Sequence, residues 1–254
     1  MEDAATVMPR GVPTLSYIRV LSQDDSQASD IAIDGDFVSI VEPGQPTTRH
    51  EVAHVFERGI TDQELCEATI GQEAGAAMDA SLNPIAAFVE DAASAVIFMV
   101  GSKFTKKWQF LKRVFLPFLG NELFACLSDK EQQGKEVFEY EATLSAFEIQ
   151  NEVISDLLRP ANRGLAISVT PESGAVVKGI HKEKISSEAS LRQLFVDACD
   201  NRSSHTLPPG ASIDTSCVVW DISLSQKEGD DDLVLFNTSR LLIVDVPAVN
   251  PLCM

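Results

Sequence analysis

Basic residues are scarce in this chain. Its 254 residues hold 20 lysines and arginines against 38 acidic residues, a formal net charge of −18. Such a balance excludes an unaided grip on nucleic acid or on an anionic membrane surface. Histidine occurs only 4 times, and no Ser/His/Asp or Cys/His constellation can be assembled from so few. The five cysteines, Cys66, Cys126, Cys199, Cys217 and Cys253, include no CxxC pair. They read as reduced, mostly buried thiols of the cytosol rather than as a disulfide framework. The longest apolar stretch, around Ala92–Val100, is far shorter than the roughly 20 residues of a membrane helix. The opening Met-Glu-Asp-Ala-Ala has neither the basic region nor the apolar core of a secretory signal. Internal repeats, low-complexity segments, domain-separating linkers and coiled-coil heptads are also missing. With 44% hydrophobic and 23% charged residues, the chain has the composition of a globular protein with a sizeable core. Residues 1–13 read as a flexible N-terminus and 14–254 as one domain.

Strand and helix patterns alternate, which indicates an α/β sheet protein. Thr14–Leu21 reads as a strand, and Ile31–Val41 as a hairpin around Asp34-Gly35-Asp36. Thr61-Asp-Gln-Glu64 is a capping box that starts a helix towards Met78. Ala92–Val100 reads as a buried strand, and Thr105–Leu116 as a basic helix ended by Pro117. Phe138, Tyr140, Ala142, Leu144 and Ala146 alternate with polar residues at the strand period, and Leu191, Leu194, Phe195 and Ala198 follow a serine cap at helical spacing. Ser216–Leu224 and Leu233–Phe236 read as strands joined by the acidic turn Glu228–Asp232, with a last strand at Arg240–Val246.

The segment after Val100 carries the most chemistry. Gly101-Ser-Lys-Phe-Thr-Lys-Lys107-Trp108 follows a strand, as a phosphate-binding loop does. A working loop reads G-x-x-x-x-G-K-[ST]: backbone N–H groups cradle phosphates, the lysine reaches the terminal phosphates and the hydroxyl holds Mg²⁺. Gly101 and Lys107 have the required separation, but Lys106 stands in place of the second glycine and Trp108 in place of the hydroxyl residue. An indole offers no oxygen to a metal.

Other groupings admit two readings each. His50-Glu51-Val-Ala-His54 is a literal HExxH, which on a helix would place two histidines on Zn²⁺ with Glu51 as general base and Glu73 as a third ligand. On a strand the same histidines lie too far apart to chelate easily. Lys103, Lys106, Lys107, Lys112 and Arg113 form either an anion site for an acidic partner or a solvated helix face. Trp108 either plugs a vacated nucleotide pocket or is a half-buried indole. Asp214 and Asp245 read as turn and cap residues rather than as a metal pair.

Several segments resemble the kinesin motor domain. Leu144-Ser-Ala-Phe-Glu-Ile-Gln-Asn-Glu-Val-Ile-Ser-Asp-Leu-Leu-Arg-Pro160 is similar to the family's strand-to-helix segment SFLEIYNE-x-x-x-DLL-x-P. Gly174–Ile180 resembles GVYVxGL, Val52–Phe56 the FDxVF strand, Asp62–Thr69 the helix start QEEVYEAT, and Asn201-Arg202 the family's NR. The resemblance runs from about Thr14 to Asn250. It implies a central mixed sheet flanked by helices, truncated after the switch II strand and lacking the C-terminal part of the family fold.

The departures fall on the nucleotide site. Where switch I would read N-x-x-SSRSH the chain has Gly210–Cys217, with Ser216 the surviving serine; where switch II would read DLAGSE it has Asp245-Val-Pro-Ala248-Val-Asn250. Ala248 replaces the glycine that senses γ-phosphate. The adenine-flanking RVRP is reduced to Arg19-Val20-Leu21-Ser22. The resemblance and its losses together imply a non-catalytic, cytoplasmic kinesin-like module. It would use no ATP/ADP or Mg, and would act as an adaptor on the cytoskeleton, at a spindle or cilium, with microtubules or another kinesin as partner. Gly101, Lys106, Lys107, Trp108, Ser216, Asp245 and Ala248 are its vestigial nucleotide site. The alternatives are a module that keeps ATP or ADP as a weak structural ligand, and a zinc peptidase built on His50, His54 and Glu73.

Overall fold

Three long strands carry the fold, and each buries one alternating row of apolar side chains against helices. In the computed structural model the described residues are 16–19, 31–40, 46–56, 59–71, 83–101, 105–133, 137–170, 174–203, 216–230 and 233–247. The expected flexible residues 1–13, the reach of the first helix towards Met78, and Lys103, Glu73, Asp214, Ala248 and Asn250 lie outside them. The chain divides into two compact units, Met1–Thr61 and Asp62–Met254.

In the first unit β1 (Tyr17–Arg19) is followed by the antiparallel strands β2 (Ile31–Asp34), β3 (Phe37–Ile40) and β4 (Thr48–Glu51), and then by β5 (His54–Phe56), which pairs parallel with β1. The hairpin expected around Gly35 is present: Asp34 faces Phe37, and Gly35 takes a φ of 59° that suits a residue without Cβ. The HExxH stretch does not form the helix a zinc site requires. His50 lies on β4 opposite Val38, and His54 lies on β5 with its Nδ1 3.1 Å from Asp36. Glu73 lies outside the described residues, so the zinc reading has lost its helix.

The second unit opens with α1 (Asp62–Ile70), α2 (Pro84–Val89) and β6 (Ala95–Met99). Asn83 caps α2, its Oδ1 accepting from the amides of Ile85 and Ala86. A continuous helical stretch then runs as α3 (Lys107–Phe110), one π-helical segment (Leu111–Phe115) and α4 (Leu116–Gln132). Pro117 therefore does not end the helix. It sits in the first turn of α4, where a missing N–H and fixed φ do no harm, because the wider π turn before it has already shifted the hydrogen-bond register.

Next come β7 (Val137–Gln150), β8 (Val153–Asp156), β9 (Ala166–Thr170), β10 (Gly174–Lys178), β11 (Glu183–Ile185), α5 (Glu188–Ser203), β12 (Cys217–Asp230) and β13 (Leu233–Asp245). The central sheet has the order β11-β7-β12-β13-β6, with β8 paired beside β7. Only the β13–β6 pairing is parallel, so the sheet is mixed. Its helix-facing row includes Leu144, Ala146, Trp220, Ile222, Leu241 and Ile243, packed with Phe88, Leu111, Leu119, Leu123 and Leu191.

Three expectations need correction. The segment after Ile149 turns back as a hairpin instead of entering a helix. Asn151 (φ 49°) and Glu152 (φ 65°) both adopt left-handed backbone, the signature of a two-residue turn matched to strand twist. The strands expected at Leu233–Phe236 and Arg240–Val246 are one strand, β13, and Glu228 belongs to β12 opposite Leu235. Finally, β6 is not buried on both faces: Val96 is 48% and Phe98 63% exposed. Among the described residues the strand pairs with β13 alone, and Ala95, Ile97 and Met99 pack against the core.

Buried polar residues fasten the helices to this sheet. Lys130, 3% exposed, donates from Nζ to the carbonyl of Val89 (2.7 Å) and to Gln226 (2.7 Å), and lies 3.3 Å from Glu228. It thereby closes the C-terminal carbonyls of α2. On the other face Arg240 pairs with Asp221 at 2.6 Å and donates to the carbonyl of Ala175, joining the β9–β10 hairpin to β13.

Candidate functional site

The sheet brings the loop after β6 and the end of β13 side by side, because Asp245 is the parallel partner of Met99. Two features of the loop backbone bear on the phosphate-loop reading. A Cβ on Gly101 would lie 2.7 Å from Thr105 Oγ1, so the first glycine still permits a close approach. Lys106, in place of the second glycine, holds φ 52° and ψ 27°. The left-handed geometry that glycine adopts freely is here carried by a lysine, at a cost of roughly 1–2 kcal/mol. Lys107 follows as the first residue of α3.

Four of the expected site residues, Lys107, Trp108, Ser216 and Asp245, meet in one buried cluster. Lys107 Nζ lies 2.5 Å from Asp245 Oδ1, with their side chains 11% and 3% exposed. It also donates to the carbonyls of Met99 and Val246. The other carboxylate oxygen, Oδ2, receives Arg202 NH1 at 2.7 Å. Arg202 further donates to the Ser216 carbonyl (3.0 Å) and to its hydroxyl (3.2 Å from NH2, 3.3 Å from Nε). Glu148 stands 3.8 Å from Arg202 Nε. Two buried cations thus face two carboxylates, and the cluster is formally neutral.

Trp108 completes the arrangement. Its ring stacks on Trp220 with centroids 6.1 Å apart and planes 21° from parallel, and the Arg202 guanidinium lies 4.1 Å from its centroid. Trp108 is half-buried, whereas Trp220 is fully buried. The indole therefore packs at the place of the hydroxyl residue, in contact with a core tryptophan and with an arginine.

Sequence reasoning missed Arg202, Glu148 and Trp220. The available signal was Asn201-Arg202 at the end of a helix. A buried arginine needs a carboxylate, and Asp245 was already singled out. Asn201 serves separately, donating to the Leu157 carbonyl at 2.7 Å. The remaining basic residues do not converge on the cluster: Lys112 pairs with Asp200 at 2.5 Å, and Lys106 and Arg113 are exposed.

A family model, the Kinesin motor domain, matches residues 106–249, more than half of the chain. The chain belongs to the kinesin motor domain family. Among similar proteins, Kinesin-like protein KIN-12B of Arabidopsis thaliana is 33% identical over 127 residues, 49% of this chain and 10% of that protein. Kinesin-like protein KIN-12A of the same plant is 28% identical over 138 residues, 53% and 11% respectively. Kinesin-related protein 1 of Dictyostelium discoideum is 26% identical over 136 residues, 52% and 6%. The aligned stretches thus span about a tenth or less of these relatives' length. The solved structure of a fast kinesin superposes with a TM-score of 0.73 at 16% identity, covering 94% of this chain and 67% of that one. The mixed sheet with its flanking helices is the kinesin fold.

Two thiols border the cluster. Burial pushes the Cys199 thiol up to about 12, opposed in part by Lys112 and Arg202. The Cys217 thiol is also raised by burial and then by Asp245. A thiol held protonated is a poor nucleophile. In the native kinesin-like chain Cys199 is therefore expected to resist Ellman's reagent at neutral and mildly alkaline pH and to react at once in urea. Peptide mapping of the labelled sites checks this, and prompt native labelling of Cys199 would contradict the buried position of α5.

Proposed function

We propose that this chain is a non-catalytic kinesin-like module, an adaptor or structural component of the microtubule cytoskeleton in the cytoplasm. The observation that carries the reading is the fate of Lys107. A phosphate-binding loop uses this ammonium on the terminal phosphates. Here it is held by Asp245 and by two backbone carbonyls. For nucleotide to take Lys107, a buried ion pair must separate, and the polyphosphate must enter a site whose charges already balance. Trp108 removes the hydroxyl that would hold Mg²⁺. In this reading Gly101, Lys106, Lys107, Trp108, Ser216, Asp245 and Ala248 are a vestigial nucleotide site, and no γ-phosphate contact drives loop order.

Family membership supports the microtubule assignment. The structure of the fast kinesin bears on the ATPase mechanism of that protein and on its interactions with microtubules. For this chain we keep the second property without the first. Microtubules, or another kinesin to which it couples, would be its partner, at a structure such as a spindle or cilium.

One observation favours a second reading. Gly101 leaves room for a close approach and Lys106 holds left-handed backbone, which suits a module that retains ATP or ADP as a structural ligand. Thermal-shift titration with Mg·ADP and Mg·ATP separates the two, because a ligand that prefers the native state raises Tm by mass action. No shift at millimolar nucleotide is expected, together with co-sedimentation on microtubules. A saturable rise favours the structural-ligand reading, and microtubule-stimulated ATP turnover would sink the non-catalytic one.

A further inference from the structure

The helix that follows the loop after β6 changes register in its middle. On α4 the inward row is Leu116, Leu119, Leu123 and Leu127, each at most 1% exposed, at the spacing of one helical face. Run back without interruption, that row would pass through Lys112 and Gln109, four and seven positions before Leu116. The observed row passes instead through Leu111, which is fully buried, and Trp108, which packs against the core. Gln109 is exposed, and Lys112 keeps 36% of its side chain in solvent, where it meets Asp200 at 2.5 Å.

The π-helical segment Leu111–Phe115 makes the difference. A π turn holds about one residue more than an α turn, so the stretch before it is rotated by roughly 100° relative to an unbroken helix. The apolar row thereby continues past a lysine and a glutamine that an unbroken helix would turn into the core. The same offset decides the site. In the unshifted register Trp108 would take the place of Lys107 beside Asp245, and Gln109 that of Trp108 against Trp220.

We infer that the π turn is a register latch on the candidate site, and that Lys112 is the residue that keeps it shut. Sliding the π turn out through the start of α3 adds and removes no residue. It nevertheless withdraws Lys107 from Asp245 and leaves its ammonium open to an anion. The slide is opposed because it buries Lys112 in the place of Leu111 and breaks its pair with Asp200. The inference stands on the observed Lys107–Asp245 contact and not on the loss of catalysis, so a thermal shift with nucleotide would leave it standing.

The test is brief acetylation of the native full chain with sulfo-NHS acetate, read by mass mapping, with exposed Lys106 as the standard in the same molecule. In the parent chain Lys107 should label at least about tenfold more slowly than Lys106, because it reacts only through local opening. Lys112→Leu makes the two registers equally apolar at this position. It should raise Lys107 labelling several-fold and speed hydrogen exchange at the amides of 107–111, but not at Leu119–Leu127. Lys112→Gln loses the same pair with Asp200 yet would still bury a polar group, so Lys107 should stay protected. Deleting Arg113, exposed and inside the turn, removes the extra residue itself. The helix then runs unbroken with Leu111, Trp108 and Lys107 on their present faces, and Lys107 should stay protected in a folded chain. Equal Lys107 labelling in Lys112→Leu and in the parent would overturn the proposal. So would equal release by Lys112→Gln, which would make the Asp200 pair the latch, or loss of protection or of the fold on deleting Arg113.

Discussion

Replacing Asp245 with alanine is expected to cost the fold about 3–5 kcal/mol, because it leaves two buried cations without their shared carboxylate. Asp245 is 3% exposed in its side chain and holds Lys107 and Arg202 on separate oxygens, at 2.5 and 2.7 Å. Glu148, at 3.8 Å from Arg202, cannot serve both. For a domain of this size the loss corresponds to a fall in Tm of about 10 °C. Asp245→Asn, which keeps the shape and one acceptor, should lose less. The variant also uncovers what the carboxylate conceals. With Lys107 and Arg202 unneutralised, added phosphate should raise the Tm of Asp245→Ala and leave the parent chain unmoved. Calorimetry in a low-salt buffer with and without phosphate reads both effects. A loss under about 1 kcal/mol, the range of exposed pairs, would mean that the cluster is open to water and that nothing bars nucleotide from Lys107.

Much of the scaffold was legible because it rests on period and capping. The alternation from Phe138 to Ala146 announced β7, the serine before Glu188 announced α5, and Asp34-Gly35-Asp36 announced the first hairpin. Errors arose where local signals met tertiary context. Pro117 looks like a terminator, yet a π turn makes it the start of another helix. Asn151 and Glu152 carry no glycine to advertise a turn, and both nevertheless take positive φ. The apolar run into Val100 promised a buried strand, but burial depends on how many strands flank β6, which composition does not encode.

The candidate site was half legible. Sequence reading singled out Lys107 by motif spacing and Asp245 by the family resemblance. It did not show that they bind each other, since they lie far apart in sequence and meet only through the β6–β13 pairing. Arg202 belongs to a third element and was visible only as part of a helix ending. Likewise, nothing in the order of residues shows that Trp108 rests on Trp220. Such long-range partners follow from sheet order, whereas periodicity reports only on neighbours.

The same packing sets the outcome of repairing the loop. Changing Trp108 to threonine restores the hydroxyl a working loop carries, and it is expected to destabilise the chain rather than revive it. The indole is stacked on Trp220 at 6.1 Å and covered by Arg202 at 4.1 Å. Deleting it removes an aromatic pair, a cation–π contact and part of the cover over a fully buried tryptophan, a loss of about 2–4 kcal/mol. Lys107 would remain bound to Asp245, so the new hydroxyl would stand beside a lysine that is already occupied. Urea melts followed by tryptophan fluorescence should show an earlier midpoint, and Mg·ATP should not recover it. Recovery of the lost stability on adding Mg·ATP would place a usable phosphate site beneath the indole and make Trp108 a removable plug. The expected result makes it a structural wedge, with Lys107, Arg202 and Asp245 occupying one another.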